Sequence, residues 1–109
     1  MKIITERKGG TLIMYLFGDL DHHAARKAIP EINRTIDTEL PIDLIMDFKN
    51  ISFMDSSGIA LVIGAYKRSN SIGCSFKVIN VSKQAFKVFN AACICKIVNI
   101  NEADTILIN

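Results

Sequence analysis

The sequence predicts an α/β domain with a mixed, mostly parallel sheet opened by an antiparallel hairpin and accompanied by about four helices. Three observations predict it. Segments of strand character alternate with segments of helical period from residue 11 onward, the order expected of strand-helix-strand units. A Gly9-Gly10 pair separates the first two apolar runs, a hairpin signal. The chain has 109 residues, 50% hydrophobic and 22% charged, enough apolar material for one packed core and so for a single domain over 1–109.

Lys2 to Arg7 is the first expected strand, and Gly9-Gly10 turn the chain into Thr11 to Phe17. Leu12 to Phe17 is apolar at successive positions, which predicts an interior strand covered on both faces, and Gly18 is expected to end it. Asp21 is placed to cap a helix whose apolar side is Ala25, Ile29, Ile32 and Ile36. Pro30 in its middle removes one backbone donor and predicts a kink or a division. After Pro41, the alternation of Ile42, Leu44, Met46 and Phe48 predicts a strand with those four on one face. A helix from Ser57 should turn Ile59, Val62, Ile63 and Tyr66 inward, and Asn70 to Gly73 should stop it. Ser75 to Asn80 reads as a strand, and Ser82 as the cap of a helix burying Ala85, Val88 and Phe89. A short edge strand, Ile97 to Ile100, and a last helix, Glu102 to Leu107, complete the pattern.

Composition excludes several classes of function. The net charge of +2 is scattered, without the basic stripe expected of a nucleic-acid binder. The apolar run Gly58 to Tyr66 is far shorter than the ~20 residues that span a bilayer, and the N-terminus lacks the apolar core of a signal peptide, so a cytoplasmic protein without membrane contact is expected. Cys74, Cys93 and Cys95 lack the spacing of common zinc or redox pairs and are expected to be reduced thiols. Adjacent His22 and His23 point about 100° apart on a helix and do not chelate easily; no metal and no cofactor is expected.

The chemistry concentrates at Asp55-Ser56-Ser57-Gly58, directly before the apolar helix. Asp55 and Ser56 are both good capping residues, Gly58 should keep the first turn open, and the helix dipole with its free N–H groups favours added negative charge there. A hydrolase nucleophile would need a glycine two residues earlier and an acid followed by a histidine later in the chain, and neither is present. No Gly-Lys-Ser/Thr ends a glycine-rich loop, so a P-loop is absent too. Enzymatic activity is therefore not expected; a helix cap or a phosphate acceptor remains.

Three segments bear on that choice: Gly18-Asp19-Leu20-Asp21-His22-His23, Ser52-Phe53-Met54-Asp55-Ser56-Ser57-Gly58-Ile59, and Ile63-Gly64-Ala65-Tyr66-Lys67. With the order of elements, they resemble the anti-sigma-factor antagonists built on a single STAS domain, and within these the sporulation branch. The resemblance implies that Ser56 is phosphorylated, that Asp21 lies at a kinase-binding surface, and that Asp55, Ser57 and Gly58 beside the acceptor contact the partner. It further implies that the unphosphorylated form binds an anti-sigma factor that is also a serine kinase, so freeing a sigma factor. Phosphorylation then releases the kinase, and a metal-dependent serine phosphatase reverses the modification. The general-stress branch and a scaffold that is never switched are the alternatives. Ala60, Ala65 and Cys93 stand where the family commonly has glycine, arginine and glycine, and Pro30 is a further departure.

Overall fold

Gly9-Gly10 closes a hairpin of β1 (Lys2–Lys8) and β2 (Thr11–Leu20), paired antiparallel from Lys8↔Thr11 to Lys2↔Phe17. A computed structural model describes residues 1–103, and the chain continues from the hairpin as three strand-helix-strand units. These add α1 (His22–Glu39), β3 (Asp43–Met54), α2 (Ser57–Ser71), β4 (Ser75–Val81), α3 (Lys83–Ala91), a 3-10 turn (Ile94–Lys96) and β5 (Asn99–Glu102). The sheet order is β1-β2-β3-β4-β5, antiparallel at the first pair and parallel at the others. Each crossover advances one strand in the same direction, so right-handed connections set the three helices on one face. Toward that face the strands bury Leu12, Met14, Leu16, Leu44, Met46, Phe48 and Val78. Phe89 of α3 meets Phe48 at 6.0 Å between ring centroids, and Tyr66 of α2 meets Phe76 at 6.4 Å.

Because the helices share a face, β2 is interior but not covered on both sides as its apolar run predicts: Ile13, Tyr15 and Phe17 stay half-buried. Gly18 does not end the strand. It adopts a positive φ of 109° beside a register shift, and pairing resumes to Leu20↔Met54. The partner strand also runs past Phe48, to Met54, and two register shifts there each set an additional β3 residue against β2. These shifts explain why the buried positions change spacing from Phe48 to Ile51 and Met54. Ile42 leaves the expected face: it precedes the strand, is 68% exposed, and rests over Gly10, whose carbonyl accepts from its N–H at 2.8 Å. It lies one layer beyond the Leu12–Leu44 end of the core.

Pro30 neither divides α1 nor shortens it. The carbonyl it leaves without a helical donor belongs to Arg26, an exposed residue on the outer side of the helix, so the missing bond lies away from the core. The inner side is Ala24, Ala25, Ala28, Ile32 and Ile36, with Ile29 only partly buried. At the far end Arg7 from β1 donates to the Glu39 carbonyl at 2.7 Å and pairs with its carboxylate at 3.1 Å. In α2 the fully buried stripe is Gly58, Leu61, Val62, Ala65 and Ser69, one step round from the expected one, and Ile59, Ile63 and Tyr66 are only partly buried. Both stripes fit a helical period; small residues at 58 and 65 let the helix approach closely along the second. β5 lies two residues later than expected because the 3-10 turn occupies Ile94–Lys96, leaving Ile97 exposed. Glu102 ends that strand rather than opening a helix, and 104–107 of the expected last helix lie outside the described residues.

Candidate functional site

Parallel pairing aligns the C-terminal ends of β2, β3 and β4, so α1, α2 and α3 all begin at one edge of the sheet. Asp21, Ser56 and Ser82 are their capping residues. Asp21 has extended backbone and its Oδ1 accepts from the Ala24 N–H at 2.9 Å, as its position in the sequence predicts. Ser82 does the same for the Ala85 N–H at 3.1 Å. The first two loops are joined directly: the Asp55 N–H donates to the Leu20 carbonyl at 3.2 Å. Asp21 and Asp55 therefore follow residues paired across the sheet, Leu20 and Met54.

The turn before α2 is built differently from those caps. Ser56 has helical backbone (φ −63°, ψ −15°) and its hydroxyl makes no capping bond. Asp55 supplies the acceptor instead: its Oδ1 takes the Ser57 N–H at 2.8 Å and its carbonyl the Gly58 N–H at 3.1 Å. The Ser56 carbonyl takes the Ile59 N–H at 3.1 Å. The first-turn donors are thus occupied rather than free for an anion. Ser56 is exposed and Ser57 half-buried.

Gly58 does not keep this turn open; it lets the turn close down on the sheet. A Cβ there would stand 2.5 Å from Met54 Cγ and 3.2 Å from Leu20 Cδ2, both in fully buried side chains.

Two residues that the sequence did not single out complete the site. Gln84 on α3 clamps the end of β3: its Oε1 accepts from the Met54 N–H at 3.0 Å and its Nε2 donates to the Met54 carbonyl at 2.7 Å. Lys87, one turn along, lines an open groove of about 530 Å³ with Ser56, Ile59, Val88, Ala91 and Ala92. Neither has a local signal, since a clamp across thirty residues leaves no trace in spacing. Asp21 lines a separate hollow beside α1, with Asp19, His23 and Lys27, and is tied to the Ser56 turn through its neighbour Leu20, whose carbonyl accepts from the Asp55 N–H.

Among the described residues no histidine hydrogen-bonds to Ser56; His22 and His23 are exposed on α1. The arrangement presents an exposed hydroxyl at the mouth of the turn. Tyr15, whose phenol is pushed up chiefly by a 2.7 Å hydrogen bond to Glu6, and Cys74, whose thiol is pushed up by burial, lie outside this site. No helix of the described residues is long and apolar enough to cross a membrane.

An exposed serine thus follows an aspartate at the edge where three helices begin. The chain is 30% identical over 100 residues to the anti-sigma F factor antagonist of Paenibacillus polymyxa, covering 92% of this chain and 86% of that protein. A solved structure of the anti-sigma factor antagonist SpoIIAA in its unphosphorylated form matches with a TM-score of 0.76 at 29% identity, over 91% of this chain and 87% of that one. The Bacillus cell fate determinant SpoIIAA in the phosphorylated form matches with 0.69, also at 29% identity, over 91% and 90%. The STAS domain model matches residues 2–104, and with the fold, the topology and the relatives in agreement the chain belongs to the STAS domain family.

Proposed function

We propose that this protein is an anti-sigma-factor antagonist of the sporulation branch, switched by phosphorylation of Ser56. Unmodified, it binds an anti-sigma factor that is also a serine kinase, and so releases a sigma factor in the cytoplasm. The kinase transfers phosphate from ATP to the Ser56 hydroxyl and lets go, and a serine phosphatase restores the binding form. The protein is thus substrate and switch, with no catalysis of its own and no cofactor, nucleic acid or membrane in its cycle.

One observation carries the reading: Asp55 performs the capping that Ser56 would otherwise perform, which leaves an exposed hydroxyl with no structural duty. Ser57, by contrast, is half-buried inside the first turn. A relative whose structure is known in both unphosphorylated and phosphorylated forms supports a switch of this kind. Asp21, Asp55, Ser57 and Gly58 would form the partner-facing surface around the acceptor.

The test is to incubate the protein with ATP and its cognate anti-sigma kinase and locate the phosphate by mass spectrometry. One phosphate on Ser56 is expected. Ser56→Ala should bind the kinase and never be released, and Ser57→Ala should still be modified. Phosphate on Ser57 overturns the site, and selective modification by a general-stress kinase overturns the branch.

A further inference from the structure

The Gln84 clamp on Met54 fixes which face of α3 looks toward the acceptor turn. Residues 84, 87, 88 and 91 have the i, i+3, i+4, i+7 spacing of one helix face. From that face Lys87, Val88 and Ala91 line the groove shared with Ser56 and Ile59. Lys87 is exposed and takes part in no ion pair among the described residues. The turn itself has little left to give an anion, because the N–H groups of Ser57, Gly58 and Ile59 already have acceptors. The other charged groups placed at this edge are Lys83, which opens α3 and does not line the groove, and the carboxylates of Asp19, Asp21 and Asp55.

We infer that Lys87 is the built-in counter-cation for a phosphate on Ser56, reaching across the groove to form an ion pair that the unmodified chain lacks. The inference rests on the reading of Ser56 as the modified residue. A phosphoserine carries about −1.5 to −2 charges at neutral pH, and a lysine ammonium presents three donors on a flexible stem. Pairing draws that stem over the apolar floor of Ile59, Val88 and Ala91. Modification then changes the groove twice, covering its apolar floor and replacing its positive charge with a net negative one. A partner that places an apolar group and a carboxylate there loses both contacts at once.

Phosphoserine installed at position 56 during translation makes the test independent of any kinase. The second ionisation of the phosphate is followed by phosphorus NMR in the wild type and in Lys87→Gln, Lys87→Arg and Lys67→Gln. A nearby cation favours the dianion, so Lys87→Gln should raise the midpoint by on the order of half a unit, the scale of an exposed ion pair. Lys87→Arg keeps the charge and should titrate like the wild type. Lys67 lies eleven residues along α2, about 16 Å at 1.5 Å per residue, so Lys67→Gln should leave the midpoint in place. A Lys87→Gln midpoint that moves no further than that of Lys67→Gln, or an arginine variant that moves with the glutamine one, overturns the inference. Failure of a kinase to modify Ser56 would instead count against the proposed function and leave this titration readable.

Discussion

Asp21 caps α1 with the same carboxylate to which the proposed function gives a binding role, and substitution separates the two. Asparagine caps about as well as aspartate, so Asp21→Asn should fold with near wild-type stability, whereas Asp21→Ala should lose ~1 kcal/mol in chemical denaturation. If the carboxylate also meets a basic residue of the kinase, both variants bind it poorly; full affinity in Asp21→Asn would leave Asp21 as a cap alone. Gly58 is a position of close approach, so the expected effect there is steric. In Gly58→Ala the added methyl must displace buried Met54, at about 1–3 kcal/mol for overpacking, against a smaller gain in helix propensity. A net loss of stability with altered amide shifts at Ser56 is expected; a more stable variant with an unchanged turn would contradict it. Cys93 offers the opposite case. It sits at φ 58° in the left-handed region, where a side chain costs roughly 1 kcal/mol. Cys93→Gly should raise the denaturation midpoint accordingly.

At the scale of elements, α3 holds the Ser56 turn through the side chain of Gln84. Gln84→Ala removes both bonds to Met54 and should raise hydrogen exchange at the Met54 and Asp55 amides while leaving α1 protected. Gln84→Glu tests the asymmetry of the clamp: it still accepts from the Met54 N–H but sets a carboxylate against the Met54 carbonyl, so it should loosen the turn further. Equal exchange in all three proteins would show that the clamp does not hold the turn. Nothing in the sequence pointed to Gln84, because its partner is thirty residues away on another element. The elements themselves were legible for local reasons: Gly9-Gly10 closes its hairpin, Asp21 and Ser82 cap their helices, and strand period appears in Leu44, Met46 and Phe48. What the sequence hid was set by tertiary contact. The inner stripe of α2 had a rival at the same period, the bulges of β3 shifted its buried positions, and the capping duty of Asp55 emerged only with the turn's geometry.

For the molecule as a whole, the question is whether a phosphate on Ser56 acts by reshaping the fold or by occupying its surface. The placement argues for the surface. Ser56 is exposed, its hydroxyl makes no hydrogen bond among the described residues, and its turn is braced by Asp55, by the bond to Leu20 and by the Gln84 clamp on Met54. At a helix N-terminus the added charge meets a favourable dipole worth ~0.3–1 kcal/mol at an exposed site, too little to refold a domain and of the wrong sign to melt the helix. Since 1 kcal/mol moves the midpoint of a domain this size by about 4–8 °C, the phosphorylated protein should melt at the same temperature or a few degrees higher. On the proposed function, release of the kinase then comes from a bulky anion standing where the partner must sit, next to the carboxylate of Asp55. Ser56→Asp should mimic it only in part, with less charge and fewer acceptor oxygens. Amide NMR of both forms provides the test: changes confined to the Asp19 to His23 segment, the first turn of α2 and the groove-facing side of α3 are expected. Shifts spread across β2, β3 and β4, or a midpoint several degrees lower after phosphorylation, would rule out a surface switch, since neither can arise while the braces around Ser56 hold.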